Sequence, residues 1–362
     1  MFNESIKVSE CDNRKKLTVM LLAVWGTNKG DRAIATFIVE KLHSNPHIGK
    51  IIVSTNEPEV LKKYLPEYVS IVPMGWNSKR GIVNKFYSRY VRHVLFPKLV
   101  DAVLNKNQEK LSCFTSGENY QAFQEADYII CTGGHHITTL LSKEGISSVT
   151  YEMGLMSLSA KPYVLWTQTF GPLELHNSKN RQYYDFILRN ASGVYIRDDY
   201  SEKIVDESFP DLSNKYRSND SVFGLYSLYE DIFINAKKEE KVGIAIYCSE
   251  LKTEDEIAAY KKRIQDICTY VLKNGLKIEF FPMETRGIEK PLIEDIIASL
   301  DTEKVKIFDT NVGTIIQMAE MSTCSLFIGH KTHSIIMALT LGIPLVGLCY
   351  HEKARDFMKM FD

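Results

Sequence analysis

No stretch of the sequence reaches the uninterrupted apolar length of about 18 residues that a membrane-spanning helix needs. Residues 1–16 are polar and mixed in charge, where a secretion signal would carry an apolar core. These two absences lead us to expect a cytoplasmic protein. Cysteine is sparse and scattered: seven residues, Cys11, Cys113, Cys131, Cys248, Cys268, Cys324 and Cys349, with no CxxC pair. An odd, dispersed set fits reduced core thiols rather than a disulfide frame or a zinc site, so no metal is expected. An excess of one charge is missing as well. With 44 Lys+Arg against 45 Asp+Glu the formal charge is -1, which gives no case for nucleic acid as a partner. Any basic site must be local.

What remains is an ordinary globular composition, 44% hydrophobic and 25% charged, in a chain of 362 residues whose length favours two domains. Apolar strand-like runs at 17–24, 51–54, 69–73, 128–131, 163–167 and 193–196 alternate with helical patterns, including 32–42 and 178–190. A charged stretch at 237–241 reads as a linker. Beyond it a second series begins, with strands at 242–247, 277–281, 305–308, 325–328 and 345–349 and helices between them. Alternation of this kind predicts an α/β protein of two Rossmann-like, doubly wound domains, 1–235 and 236–362, facing a cleft in the GT-B-like manner.

In such folds, ligands collect at the C-terminal ends of the strands. After the first strand the chain reads Trp25-Gly26-Thr27-Asn28-Lys29-Gly30-Asp31. This turn is neither a P-loop, since no GK[ST] follows, nor a dinucleotide GxGxxG. Asp31 is placed to cap the helix; Asn28 and the glycine backbone either line a site floor or form a plain capped turn. The fourth strand ends in Thr132-Gly133-Gly134-His135-His136, where paired glycines allow close backbone approach and one histidine is a candidate polar contact. Arg197-Asp198 closes the sixth strand, and the planar fork of Arg197 matches a carboxylate or phosphate, with a plain ion pair to Asp198 or a helix-capping role as the alternative.

The densest constellation is Leu326-Phe327-Ile328-Gly329-His330-Lys331-Thr332-His333. It reads as a buried strand, a tight turn and a helix N-terminus, where backbone N–H groups point at an anion. Lys331 adds a fixed charge and His333 a group able to move a proton near neutral pH; the alternative for His333 is a cap or a core histidine. Between 76 and 100 the chain carries Lys79, Arg80, Lys85, Arg89, Arg92 and Lys98 without an acidic residue, interleaved with aromatics. That segment either covers the core as a solvated helix or lies on an anionic membrane surface.

Taken in order, these loops resemble the polysaccharide pyruvyl transferase family. The matching pieces are Asn28-Lys29-Gly30-Asp31 for its NxGD turn, Gly133-Gly134 for its GG(G) turn and Gln168 with Gly171-Pro172 for its QxxGP element. Arg197-Asp198 with Ser201 fits RDxxS, Asp220 to Phe223 fits DxxF, and Gly329 to His333 fits GxRxH with Lys331 in place of the arginine. Gly342-Ile343-Pro344 through Tyr350-His351-Glu352-Lys353 fits its closing G-(I/V)-P…YxxK.

The resemblance implies transfer of the enolpyruvyl group of phosphoenolpyruvate to a sugar as a ketal, with phosphoenolpyruvate as co-substrate and no other cofactor. It implies His333 as acid/base, with Arg197, Lys331 and the helix N-terminus at Thr332 holding phosphoenolpyruvate. Asn28, Asp31 and Gln168 fall on the acceptor side, with Gly133 and Gly134 as further contacts. The expected partner is a sugar or glycan, free or lipid-linked. For a lipid-linked acceptor, 76–100 is the expected membrane-facing surface, at the inner face of the membrane. Two rivals remain: a nucleotide-sugar glycosyltransferase of the same architecture, with Glu284 or Asp309 for ribose hydroxyls, and a non-catalytic glycan-binding or assembly protein.

Overall fold

Short apolar runs with β-branched residues pair into two wholly parallel sheets. In this computed structural model the described residues are 15–76, 82–140, 142–248, 251, 253–285, 287–300, 302–348 and 352–359. The first sheet holds β1 (Leu17–Leu22), β2 (Ile48–Thr55), β3 (Val69–Pro73), β4 (Tyr128–Cys131), β5 (Tyr163–Gln168), β6 (Gly193–Ile196) and β7 (Lys215–Arg217), in the order β3-β2-β1-β4-β5-β6-β7. The second holds β8 (Glu239–Ala245), β9 (Lys277–Phe280), β10 (Val305–Ile307), β11 (Cys324–Gly329) and β12 (Leu345–Gly347), in the order β10-β9-β8-β11-β12.

Each order reverses once, between β1 and β4 and between β8 and β11. A reversal of that kind opens a crevice beyond the strand ends, because the flanking connections leave in opposite directions. The central strands carry the sequence signature of burial on both faces: Val19, Met20, Leu21 and Leu22 of β1 are all buried. Met20 lies beside Ile52 of β2 and Ile129 of β4.

Helix α1 (Lys29–His43) joins the two halves. Its Ile34, Ala35, Ile38 and Val39 share one apolar cluster with Val19 and Leu21 of β1 and with Phe281, Met318, Phe327 and Ile336 of the second half. The helix begins earlier than the expected residue 32, and its cap is Asn28, whose side chain accepts from Gly30 N at 2.9 Å. Asp31 therefore lies in the first turn and not at the cap. Asn28 takes the role because its extended backbone precedes the first helical residue and its amide oxygen reaches two residues on.

Two other expectations are corrected. The charged run at 237–241 is not wholly a linker, since β8 already includes Glu239–Lys241. Lys241 is buried there, 2.6 Å from Glu279 and 2.5 Å from Glu320, so its charge is met inside the fold. Strand β7 was not anticipated, because Lys215–Arg217 is a short polar edge strand with no buried alternation.

Glu152, on the helix Ser148–Leu158, is wholly buried and ties the end of the third strand's loop to the sheet. Its carboxyl accepts from Gly75 N at 2.5 Å and Ser54 Oγ at 3.2 Å. Burial pushes its pKa up to about 7, against the hydrogen bonds that favour the ionised form. A carboxyl whose folded pKa is raised contributes most below its unfolded value near 4.5, and that contribution is lost as pH rises towards 7. Thermal midpoints are therefore expected to fall between pH 5 and pH 8, and Glu152→Gln should flatten part of that slope in scanning calorimetry.

Candidate active site

The loop that leaves β1 at the first crevice meets a loop from the second half. Thr27 O accepts from Thr285 N and Met283 O accepts from Lys29 N, both at 3.0 Å, and Asn28 pairs with Glu284 as an antiparallel bridge. A carboxylate braces each side. Glu57 Oε2 accepts from Gly26 N and Thr27 N, each at 2.9 Å, while Glu289 Oε2 accepts from Met283 N at 2.9 Å and Glu284 N at 3.1 Å.

Between the two crevices lies a cavity of about 410 Å³, within the range of roughly 300–1,000 Å³ common for small-molecule sites. The β1 loop contributes Trp25, Thr27, Asn28 and Asp31, the β4 loop His135 and His136, and the end of β6 Arg197. From the second half come Tyr247 after β8, Glu284 after β9, and Lys331, Thr332 and His333 after β11. Of the residues singled out in the sequence, Asn28, Asp31, Arg197, Lys331, Thr332 and His333 meet here.

Gln168, Gly133 and Gly134 do not line the cavity. Gln168 is wholly buried at the end of β5, and its Nε2 donates to Cys131 O at 3.0 Å and Thr132 O at 2.8 Å, which ties β5 to β4. A Cβ on Gly133 would fall 2.4 Å from Thr167 Oγ1, and one on Gly134 would fall 2.1 Å from His136 Nε2. Gly133 is required by the packing of the neighbouring strand end, since Thr167 O also lies 2.7 Å from that Cβ, whereas at Gly134 only the ring of His136 would have to move.

Arg197 is held by a relay of side chains. Its Nη1 donates to Asp220 Oδ2 at 2.5 Å and its Nε to Thr169 Oγ1 at 2.8 Å. Thr169 Oγ1 in turn donates to Asp198 Oδ2 at 3.0 Å, and Asp198 caps the helix Asp199–Ser208 through Ser201 N. The ion pair is thus with Asp220, 23 residues on, and not with the neighbouring Asp198.

Lys331 is the N-cap of the helix Thr332–Thr340 and lies 7% exposed. Its ammonium bonds to Glu284, stands 3.5 Å from Glu289 Oε1 and sits 5.7 Å from the ring centre of Tyr247. Burial opposes its charge, yet Glu289 and Glu284 outweigh that and raise its pKa. Next along, the hydroxyl of Thr332 is buried without a hydrogen-bond partner among the described residues. His330 faces away from this group: Nδ1 lies 2.7 Å from the Tyr260 hydroxyl, and burial pushes its pKa down to about 4. No group of three or more His, Cys, Asp or Glu among the described residues is arranged to hold a metal ion.

Asp31 is 9% exposed, and burial drives its pKa up to about 7 although Arg197 and Lys331 pull it down. Beside it, Gly30 explains the small residue of this turn. A Cβ there would lie 2.1 Å from the ring of His333, so the two halves touch backbone to imidazole.

Against known proteins, the sequence matches the polysaccharide pyruvyl transferase family over residues 28–352. The chain belongs to this enzyme family. The pyruvyl transferase motifs of the sequence are therefore placed: RDxxS and DxxF build the relay that fixes Arg197, while NxGD and GxRxH bring Gly30 against His333. The end of the last motif, at 349–351, lies outside the described residues. No curated protein matches the chain by sequence.

Similar solved structures show the fold alone. A UDP-GlcNAc 2-epimerase from Methanocaldococcus jannaschii aligns with TM-score 0.52 at 10% identity, over 95% of this chain and 91% of that one. The S. aureus MnaA–UDP complex gives 0.53 at 7%, over 92% and 79%, and the UDP-GlcNAc 2-epimerase from Neisseria meningitidis 0.50 at 11%, over 93% and 84%. The architecture is accordingly two Rossmann-like units in a GT-B-like arrangement.

Sequence reasoning missed Glu57, Glu289 and Tyr247 and gave Glu284 a different role. For Glu57 and Tyr247 the only local signal is position, just beyond a strand's C-terminal end, and for Glu289 it is the first turn of the helix Glu289–Ile297. The contact of Gly30 with His333 makes a direct prediction. Gly30→Ala should destabilise the protein by about 1–3 kcal/mol in urea titrations, because the helix start and the imidazole cannot both keep their places.

Proposed function

We propose that this pyruvyl transferase moves the enolpyruvyl group of phosphoenolpyruvate onto a pair of sugar hydroxyls, releasing phosphate and forming a ketal. The observation that carries the reading is the convergence of Arg197, Lys331, the unpartnered Thr332 hydroxyl and His333 on one cavity from opposite halves. An enol ether phosphate is unreactive until its methylene carbon is protonated, which leaves an oxocarbenium-like centre for a hydroxyl to attack. General acid–base chemistry and preorganised positive charge are what that step requires.

His333 is the acid/base group on this reading. Arg197 and Lys331 hold the phosphate and carboxylate, helped by the helix N-terminus at Thr332. Both cations already face carboxylates, so the donor must compete for them. Glu284, with its side chain 31% exposed, is the partner that yields on Lys331, whereas Glu289, 3% exposed, stays and keeps the lysine charged. Asn28, on the loop after β1, faces the acceptor, and Asp31 lines the same cavity one residue beyond Gly30. Tyr247 offers an apolar face of the kind a sugar ring stacks on.

For the acceptor, a lipid-linked glycan is supported by the exposed helix Ile82–Tyr90 and the turns after it. Phe86 is 70% exposed, Tyr87 and Tyr90 lie beside it on the surface, and Lys85, Arg89 and Arg92 surround them. Lys79 and Arg80 lie outside the described residues. Among the described residues no helix is long and apolar enough to cross a membrane, so this surface would act by peripheral contact at the inner face.

Two measurements test the reading. Incubation with phosphoenolpyruvate and candidate galactosides or N-acetylhexosamines should release phosphate only when both are present, and His333→Gln should slow that release by about 10²–10⁴-fold. Turnover of a nucleotide sugar would overturn the reading in favour of a glycosyltransferase; saturable glycan binding without any turnover would favour a binder. Separately, flotation with vesicles rich in phosphatidylserine should recover the native chain and lose the triple variant Lys85→Ala, Arg89→Ala, Arg92→Ala. Equal recovery of both removes the membrane surface.

A further inference from the structure

Several other carboxyls of the surrounding loops and helices are engaged with protein donors. Glu57 and Glu289 brace the loops, Asp198 caps a helix, Asp220 holds Arg197, and Glu152 holds Gly75. Asp31 differs. It lines the cavity from the first turn of α1, is nine-tenths buried, and among the described residues its carboxyl takes part in no hydrogen bond.

A carboxylate in such a place is costly unless something binds it or a proton neutralises it. The charged groups acting on it come from several elements. Arg197, after β6, and Lys331, before the helix Thr332–Thr340, favour the ionised form, as does the N-terminus of its own helix. Asp220 and Glu57 oppose it, and burial opposes it most, which brings the pKa up to about 7. A ligand dianion on Arg197 and Lys331 would engage the two cations that now favour ionisation, so donor binding moves Asp31 further towards its neutral form. Its neighbour Gly30 packs close against the His333 ring, and Asp31 and His333, two groups able to carry protons, line the same cavity.

We propose that Asp31 is the catalytic acid that delivers the proton to the methylene carbon, leaving His333 to accept the proton of the attacking hydroxyl. This rests on the pyruvyl transfer reading and divides its acid and base work between two residues. In the first step the Oδ–H bond of Asp31 breaks, the electron pair of the enol double bond forms the new C–H bond, and the adjacent carbon becomes oxocarbenium-like. The acceptor oxygen adds to that carbon as its proton passes to His333. The second hydroxyl then replaces phosphate, which leaves with the electrons of its C–O bond and takes up the second hydroxyl's proton. Proton return from His333 to Asp31 resets the site.

The test uses the full chain with phosphoenolpyruvate and an acceptor that the native enzyme turns over. Asp31→Asn keeps size and polarity but has no transferable proton. We expect kcat to fall by about 10²–10⁴-fold with donor affinity by calorimetry held within a few-fold. The alkaline limb of the native pH–rate profile, where Asp31 loses its proton, should vanish from the residual activity. An Asp31→Asn enzyme within threefold of native that keeps the alkaline limb overturns the assignment. If that variant does not fold, Asp31→Glu decides: a displaced alkaline midpoint supports it, and an unmoved one overturns it. A native enzyme that releases no phosphate with any acceptor overturns instead the pyruvyl reading on which the assignment rests.

Discussion

The backbone pairing of Thr27–Lys29 with Met283–Thr285 is the constraint on which the site depends. Each half has its own crevice, set by its strand order, and neither crevice alone contains both Arg197 and His333. Only when the loop after β1 and the loop after β9 run beside each other do the two crevices share one cavity. The arrangement is buttressed symmetrically, with Glu57 and Glu289 each accepting two consecutive backbone N–H groups. Such bonds from a carboxylate to backbone are among the stronger ones available to a loop, and here they fix the backbone that pairs. The apolar cluster running through α1 keeps the same two halves in register further from the chemistry.

Charge in the cavity is arranged in opposed pairs rather than as an open basic patch. Arg197 faces Asp220, and Lys331 faces Glu284 and Glu289. This follows from burial: a cation held 7% exposed or less keeps its charge only beside an opposite one. The lysine is suited to its place in a way an arginine would not be. A single ammonium can stand among two carboxylates and an aromatic face, whereas a guanidinium fork seeks one planar partner.

Much of this was legible in the amino-acid pattern. The helix Ser178–Asn190 and the strand Tyr128–Cys131 have the bounds that the apolar pattern implies, because small residues and glycine follow each of them at once. Asn28, Asp31, Arg197, Lys331, Thr332 and His333, which line the cavity, all sit where chemistry collects, at the ends of strands. Gln168, Gly133 and Gly134 also sit at strand ends, but they lie outside this cavity and serve the contact of β5 with β4 and of loop with loop. What the sequence could not disclose are partners distant along the chain. Glu57 reaches back 31 residues to Gly26, and Thr285 crosses 258 residues to Thr27. The start of α1 was misplaced for a related reason. Glycine at position 30 looks unfavourable for a helix until the ring of His333 occupies the space beside it.

Arg197 is 1% exposed. Stripping water from a guanidinium is among the steeper costs of bringing an anion into a protein, and in this chain it is met when the polypeptide folds, with Asp220 and Thr169 standing in for the lost solvent. On the pyruvyl transfer reading proposed above, an arriving anion would meet a cation already dry and already fixed in place. Whatever selectivity the pocket shows would then reflect the visitor's own hydration and shape, since the receiving group has almost no solvent shell left to shed.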